Sequence, residues 1–208
     1  MITYIIIIIT VFVSITSMEN QTLKNKLMFN AYMISKRKEW WRFFSNGLIH
    51  ADWMHLIFNM YALYIFGTGV GVESIYKDEN VYGEKGTLFF ILLYVGGLVM
   101  SSLYSYEKNK NNIYYNSLGA SGAVSAVIFA FIILNPTARM GLMFIPIRLP
   151  AYIFGLIMLG FEHYLSKRGN TGIAHDAHFW GAVYGALLTI ILKPELFTNF
   201  INQIKGGQ

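Results

Sequence analysis

An ordinary soluble domain carries roughly 25% charged residues, whereas only 13% of these 208 residues are charged and 55% are hydrophobic, so a membrane protein is the first expectation. The formal net charge of +5 would suggest a nucleic-acid partner in a soluble protein. Here the basic residues fall between apolar windows, where they serve as headgroup contacts and topology signals, and no nucleic acid is expected. Cysteine is absent, which excludes a disulfide framework, a thiol nucleophile and a thiolate metal site.

Charge-free windows run over 1–18, 53–72, 86–106, 111–138, 149–161 and 177–192. Several match the roughly 17–25 apolar residues that a bilayer span needs. They predict helices near 2–17, 54–72, 86–105, 121–136, 150–166 and 173–192. The first window lacks the basic start and small-residue cleavage site of a secretory signal, and it reads as a retained helix. Residues 18–53 mix Lys36-Arg37-Lys38 with Trp40, Trp41, Phe43 and Phe44, a composition suited to an interfacial first loop. Between helices four and five, Pro146 and Pro150 bracket Arg148; Pro150 suits the first turn of helix five, and 137–149 is a loop. No window alternates as a membrane barrel strand would, and backbone groups in hydrocarbon must be satisfied within their own segment. The expected fold is an all-α, polytopic membrane protein, a six-transmembrane-helix bundle in one domain over 1–208.

Polar groups inside membrane helices are costly, so each is a candidate functional site. Helix two carries His55 and Asn59, helix four opens with Gly119-Ala120-Ser121-Gly122, and helix six carries His178 after Ala174-His175-Asp176-Ala177. Successive spans alternate in direction, so helices two, four and six run the same way. Asn59 lies 14 residues before Glu73, Ser121 lies 15 before Pro136, and His178 lies 15 before Lys193. At a helical rise of 1.5 Å these intervals are roughly 21, 22 and 22 Å. The three side chains therefore share one depth, several ångströms inside a ~30 Å hydrocarbon core. The polar stretch before Gly119 puts Ser121 at a helix N-terminus, where free N–H groups face any oxyanion. Gly181 and Gly185, with Gly119, Gly122, Ala123 and Ala126, permit close contact between helices four and six. A serine hydroxyl needs a base within hydrogen-bond reach, and Ser121 with His178 supplies such a pair. Taken singly, each motif is as well explained by helix packing or an interhelical hydrogen bond. Their matched depth on parallel helices ties them together.

On these residues the chain resembles the rhomboid family of intramembrane serine proteases in its compact six-helix form. The resemblance runs from Trp41 to about Leu192. It is carried by Trp41-Arg42, His50, His55-Leu56-Ile57-Phe58-Asn59, Gly119-Ala120-Ser121-Gly122, and Ala177-His178 with Gly181 and Gly185. It implies that Ser121 is the nucleophile and His178 the general base, a dyad without a required acidic third member. His55, Asn59 and the Ser121 backbone N–H would form the oxyanion hole, and His50 would help retain water. No metal or organic cofactor is implied. The implied substrates are membrane proteins with a transmembrane helix that unwinds locally, commonly cut beside a small residue.

Some members carry a tyrosine four residues after the nucleophile, packed on the catalytic histidine; here that position is Ser125, and Phe129 is the expected replacement support. Asp176, two residues from His178 on a helix, is expected to point away from it. The family places the active site toward the extracytoplasmic face of a cell membrane with Met1 cytoplasmic. Loops one, three and five, however, hold 10 Lys and Arg against 6 on the other side, the reverse of the positive-inside pattern. Discounting loop one as membrane-embedded turns the count to 4 against 6. The alternative function is a catalytically silent rhomboid-like protein that binds transmembrane helices as a chaperone or adaptor. A transporter would show broken helices in paired halves, and a metalloprotease a His-Glu-x-x-His; neither occurs.

Overall fold

A computed structural model describes residues 1–141, 147–168 and 174–206. In chain order its helices are α1 (Ile2–Glu19), α2 (Gln21–Leu27), α3 (Ala31–Arg37), α4 (Arg42–Ser45), α5 (Trp53–Gly67), α6 (Val72–Lys77), α7 (Gly86–Asn109), α8 (Ser121–Leu134), α9 (Ala151–Arg168), α10 (His175–Leu192) and α11 (Glu195–Lys205). Two short strands, β1 (Arg139–Met140) and β2 (Leu149–Pro150), pair antiparallel inside the connection read as loop 137–149. Pro150 immediately precedes α9. Pro146 lies outside the described residues, as does position 173, the predicted start of helix six.

The six predicted windows correspond to α1, α5, α7, α8, α9 and α10, an all-α membrane bundle. Ile2–Glu19, Trp53–Lys77 and Gly83–Asn109 are each long and apolar enough to cross a bilayer, and α10 with α11 passes the same test as a pair bent by 109°. The burial pattern is that of a protein dissolved in lipid. In α1 the buried residues are Thr3, Thr10, Ser14 and Ser17, while Ile5, Ile8, Ile9 and Phe12 face outward. A soluble helix would reverse this; here the outward face meets acyl chains and small polar residues make the helix contact.

Helix two departs from expectation. Instead of one helix over 54–72, α5 ends at Gly67, a turn through Gly69 (φ +58°) follows, and α6 begins at Val72. The break has a structural use. Glu73, fully buried on α6, accepts hydrogen bonds from the backbone N–H groups of Ile2 (2.8 Å) and Thr3 (2.9 Å), the Thr3 hydroxyl (2.7 Å) and Lys77 Nζ (2.8 Å). A carboxylate on the open N–H groups of α1 satisfies donors that have no partner within the helix.

At the centre stands α8, which buries 11 of its 14 residues. Its length of about 21 Å falls short of the ~30 Å hydrocarbon core. Around it pack α5, α7, α9 and α10. The α8–α10 contact is backbone on backbone: a Cβ on Gly181 would strike the Gly122 carbonyl, and one on Gly185 the Ala126 carbonyl. The small-residue face thus makes the close approach expected of it.

The first loop is more ordered than an interfacial loop requires. It forms α2, α3, α4 and a 3-10 turn over Asn46–Leu48. Buried Arg42 joins the unit: its Nε donates to Glu39 (2.6 Å) and its Nη1 to the carbonyls of Asn25 (2.9 Å) and Met28 (2.7 Å). Phe29 pairs with Ser117 as an isolated bridge and packs with Phe43 and Tyr115. Trp40, Trp41 and Phe44 remain outward as an aromatic belt.

Candidate active site

A cavity of about 920 Å³ opens at the end of the bundle that carries loops one, three and five. Its walls include His55 and Asn59 from α5, Ser121 from α8, and His175 and His178 from α10. The residues brought to one depth by counting therefore meet in one chamber. The count along helix two was sound only as far as Gly67, because α5 stops there; the counts along α8 and α10 run to the true ends of those helices.

Ser121 is the first residue of α8, and no side chain caps that N-terminus. The chain enters it through Gly119 at φ +119°, a conformation that suits a residue without Cβ. The same glycine lets the His55 ring lie against the backbone, since a Cβ there would meet that ring. Two bonds hold this entry from the first loop: the Gly119 N–H donates to the Asn46 carbonyl (2.9 Å), and the Ala120 N–H donates to His50 Nε2 (3.3 Å).

Across the α8–α10 contact, Ser121 Oγ lies 2.7 Å from His178 Nε2. This is hydrogen-bond distance. Asn59 Nδ2 donates one hydrogen to its own helix at the His55 carbonyl (2.8 Å), which leaves its second amide hydrogen free for the cavity it lines. At His55 the Ala51 N–H approaches Nδ1 at 3.5 Å, and the ring lines the chamber.

Two expectations require correction. His50 was given a water-retaining role, yet it has no exposure and both ring nitrogens engage protein atoms. Nε2 accepts from Ala120, and Nδ1 lies 2.9 Å from Ser14 Oγ, whose hydroxyl reaches the Leu48 carbonyl at 3.0 Å. His50 thereby braces the segment before the serine. Burial, assisted by neighbouring His55 and opposed by Asp52, pushes its pKa down to about 3, so it stays neutral.

The second correction concerns the support of His178. Phe129 packs instead in a cluster with Ile132, Met140, Ala151 and Ala182. The group that meets the far side of the imidazole is Glu162 of α9, whose Oε1 lies 3.1 Å from His178 Nδ1, while its Oε2 lies 2.6 Å from His175 Nδ1. Sequence reading passed over Glu162 and gave His175 no role. The signal was present, because an acid inside a predicted membrane helix is a candidate by cost alone. Asp176 turns away as expected and accepts from Ser105 Oγ at 2.5 Å. Glu162, His175 and His178 also form the set that could ligate a metal, each offering one ligand atom within 4.8 Å of the others.

Residues 37–195 match the family model described as the rhomboid domain. RHOMBOID-like protein 12, mitochondrial, of Arabidopsis thaliana is 28% identical over 188 residues, covering 85% of this chain and 55% of that protein. Rhomboid protease AarA of Providencia stuartii is 28% identical over 193 residues, covering 82% of this chain and 64% of its own length. Rhomboid protease GluP of Bacillus subtilis is 30% identical over 160 residues, 76% of this chain and 28% of that one. The chain thus spans between about a quarter and two thirds of these relatives. With the domain match covering most of its length, this helical membrane protein belongs to the rhomboid family.

Proposed function

We propose that this protein is an intramembrane serine endopeptidase that cuts transmembrane protein substrates through Ser121 and His178. The observation that carries the reading is the 2.7 Å contact between Ser121 Oγ and His178 Nε2 on the wall of the cavity. In this reading Ser121 Oγ attacks the scissile carbonyl carbon while His178 Nε2 takes the hydroxyl proton. The oxyanion accepts from the Ser121 backbone N–H at the start of α8 and from the His55 and Asn59 side chains of α5. His178 returns its proton to the leaving amine, and water then hydrolyses the acyl-enzyme by the same route reversed. None of these steps calls on a metal or cofactor. Residues 1–208 act as one rhomboid-like membrane domain.

Fluorophosphonate labelling of the purified, detergent-solubilised chain tests this, since the probe needs an activated serine. Wild type should label, and Ser121→Ala and His178→Ala should not. A folded wild type that takes no label would favour the alternative, a silent rhomboid-like protein that binds transmembrane helices as chaperone or adaptor. The proposed location is a cell membrane, with the cavity toward the extracytoplasmic face.

A further inference from the structure

If His178 Nε2 is to accept the Ser121 proton, the neutral ring must carry its own proton on Nδ1. That atom faces Glu162 Oε1 at 3.1 Å, and the other carboxylate oxygen is held by His175 Nδ1 at 2.6 Å. We propose that Glu162 is a positioning residue for the general base, fixing the tautomer and plane of His178 and facing the imidazolium formed during attack, while His175 fixes the carboxylate. The inference rests on the serine-protease reading and adds a third member to it.

Three features lead here. First, the Glu162 side chain is only 12% exposed, and among the described residues its partners are the two imidazoles, with no Lys or Arg beside it. A carboxylate in that setting faces the ring on which positive charge develops when Ser121 is deprotonated. Second, His175 and His178 stand at i and i+3 on α10, neighbouring positions that reach the same acid; their rings meet edge-on with centroids 6.0 Å apart. Third, α8 offers only Ser125 where an aromatic support was anticipated, so orientation comes from α9 instead.

A purely structural role has to be separated from this, because α9 buries only Ala151 and Gly155 and the carboxylate also ties its second half to α10. The pH profile separates them. Glu162 from α9 touches the ring, and the other charged and titratable groups lining the same cavity are Asp52 before α5, His55 on α5, Lys108 on α7, Tyr115 before α8, and His175 and Asp176 on α10, the last engaged by Ser105.

The experiment measures the second-order rate of fluorophosphonate labelling from pH 5 to 9, with melting temperatures, for wild type, Glu162→Gln, Glu162→Asp and His175→Gln. Loss of the carboxylate should lower the plateau rate on the order of 100-fold. The acidic limb should shift as well, because an amide presents no charge to the ring. Glu162→Asp should recover part of the rate, and His175→Gln should show the same changes more weakly. Wild-type rates and limb in Glu162→Gln would overturn the proposal. So would a slower rate that merely follows the melting temperature with the limb unmoved. Wild-type labelling abolished by EDTA and restored by zinc would assign the three side chains to a metal ion and also overturn it. If folded wild type takes no label, the protease reading falls first and this inference with it. A labelled wild type beside an indifferent Glu162→Gln sinks this inference alone.

Discussion

Acidification should destabilise this protein through His50, and the size of the effect follows from its surroundings. Its ordinary pKa of 6.5 falls to about 3 in the folded chain, with burial as the chief cause. Above pH 6.5 the ring is neutral folded or unfolded, so nothing is lost. As pH falls below 6.5 the unfolded chain gains a proton that the folded one refuses, and stability drops until pH approaches 3. At pH 5, which is 1.5 units below the ordinary value, the loss is about 2 kcal/mol at 1.36 kcal/mol per unit. That figure depends little on the folded value, which lies well below pH 5. His50→Gln keeps an acceptor for the Ala120 N–H and a donor for Ser14 Oγ but removes the titration. Unfolding free energies in detergent at pH 7.5 and pH 5 should show wild type losing about 2 kcal/mol more than His50→Gln. Other titrating groups are common to both proteins and cancel. Equal losses in the two proteins would refute the reasoning, as would a folded His50 that titrates near 6.5 by NMR.

The α8–α10 contact should be intolerant of a side chain. Gly185→Val drives a branched side chain into the Ala126 carbonyl, with a cost of about 1–3 kcal/mol or more in unfolding experiments. Gly160→Ala on α9, which meets nothing within 4 Å, should leave stability unchanged or raised. Glu73→Ala leaves the first N–H groups of α1 and the Thr3 hydroxyl without their buried acceptor while Lys77 turns to solvent, so about 1–3 kcal/mol should be lost. A thermal melt unmoved by that change would contradict the capping role. Orientation is testable because the chain has no cysteine. A single Cys at Tyr114, 89% exposed at the cavity end, should react with an impermeant maleimide on intact cells, and one at Glu84 should not. The reverse result would put the cavity toward the cytoplasm, the side the charge count favours.

What the sequence disclosed was governed by period and cost. Charge-free windows located all six bundle helices because hydrocarbon tolerates few charges, and the rise of 1.5 Å per residue placed Ser121 and His178 at one depth. Gly181 and Gly185 were legible as a contact face because only backbone fits there. Less visible was anything decided by partners remote in sequence. The break after Gly67 hides inside an apolar run, and its use emerges only when Glu73, some 70 residues on, meets the start of α1. His50 read as a free polar group, whereas its place is fixed by Ser14 and Ala120 on two other segments.

Glu162 exposes the limit of reading residues by resemblance. A dyad needs no acid, and the resemblance points for support of His178 to α8 and Phe129 rather than to α9. The helix that supplies it, α9, buries only Ala151 and Gly155, and for such a helix a polar anchor is the stronger device. Against α10 few methyl groups hold α9, but one carboxylate with two imidazoles on it ties the His178 ring as well as the helix. Coupling the two means that any displacement of α9 also releases His178. His178 is therefore held only as firmly as α9 is held against α10.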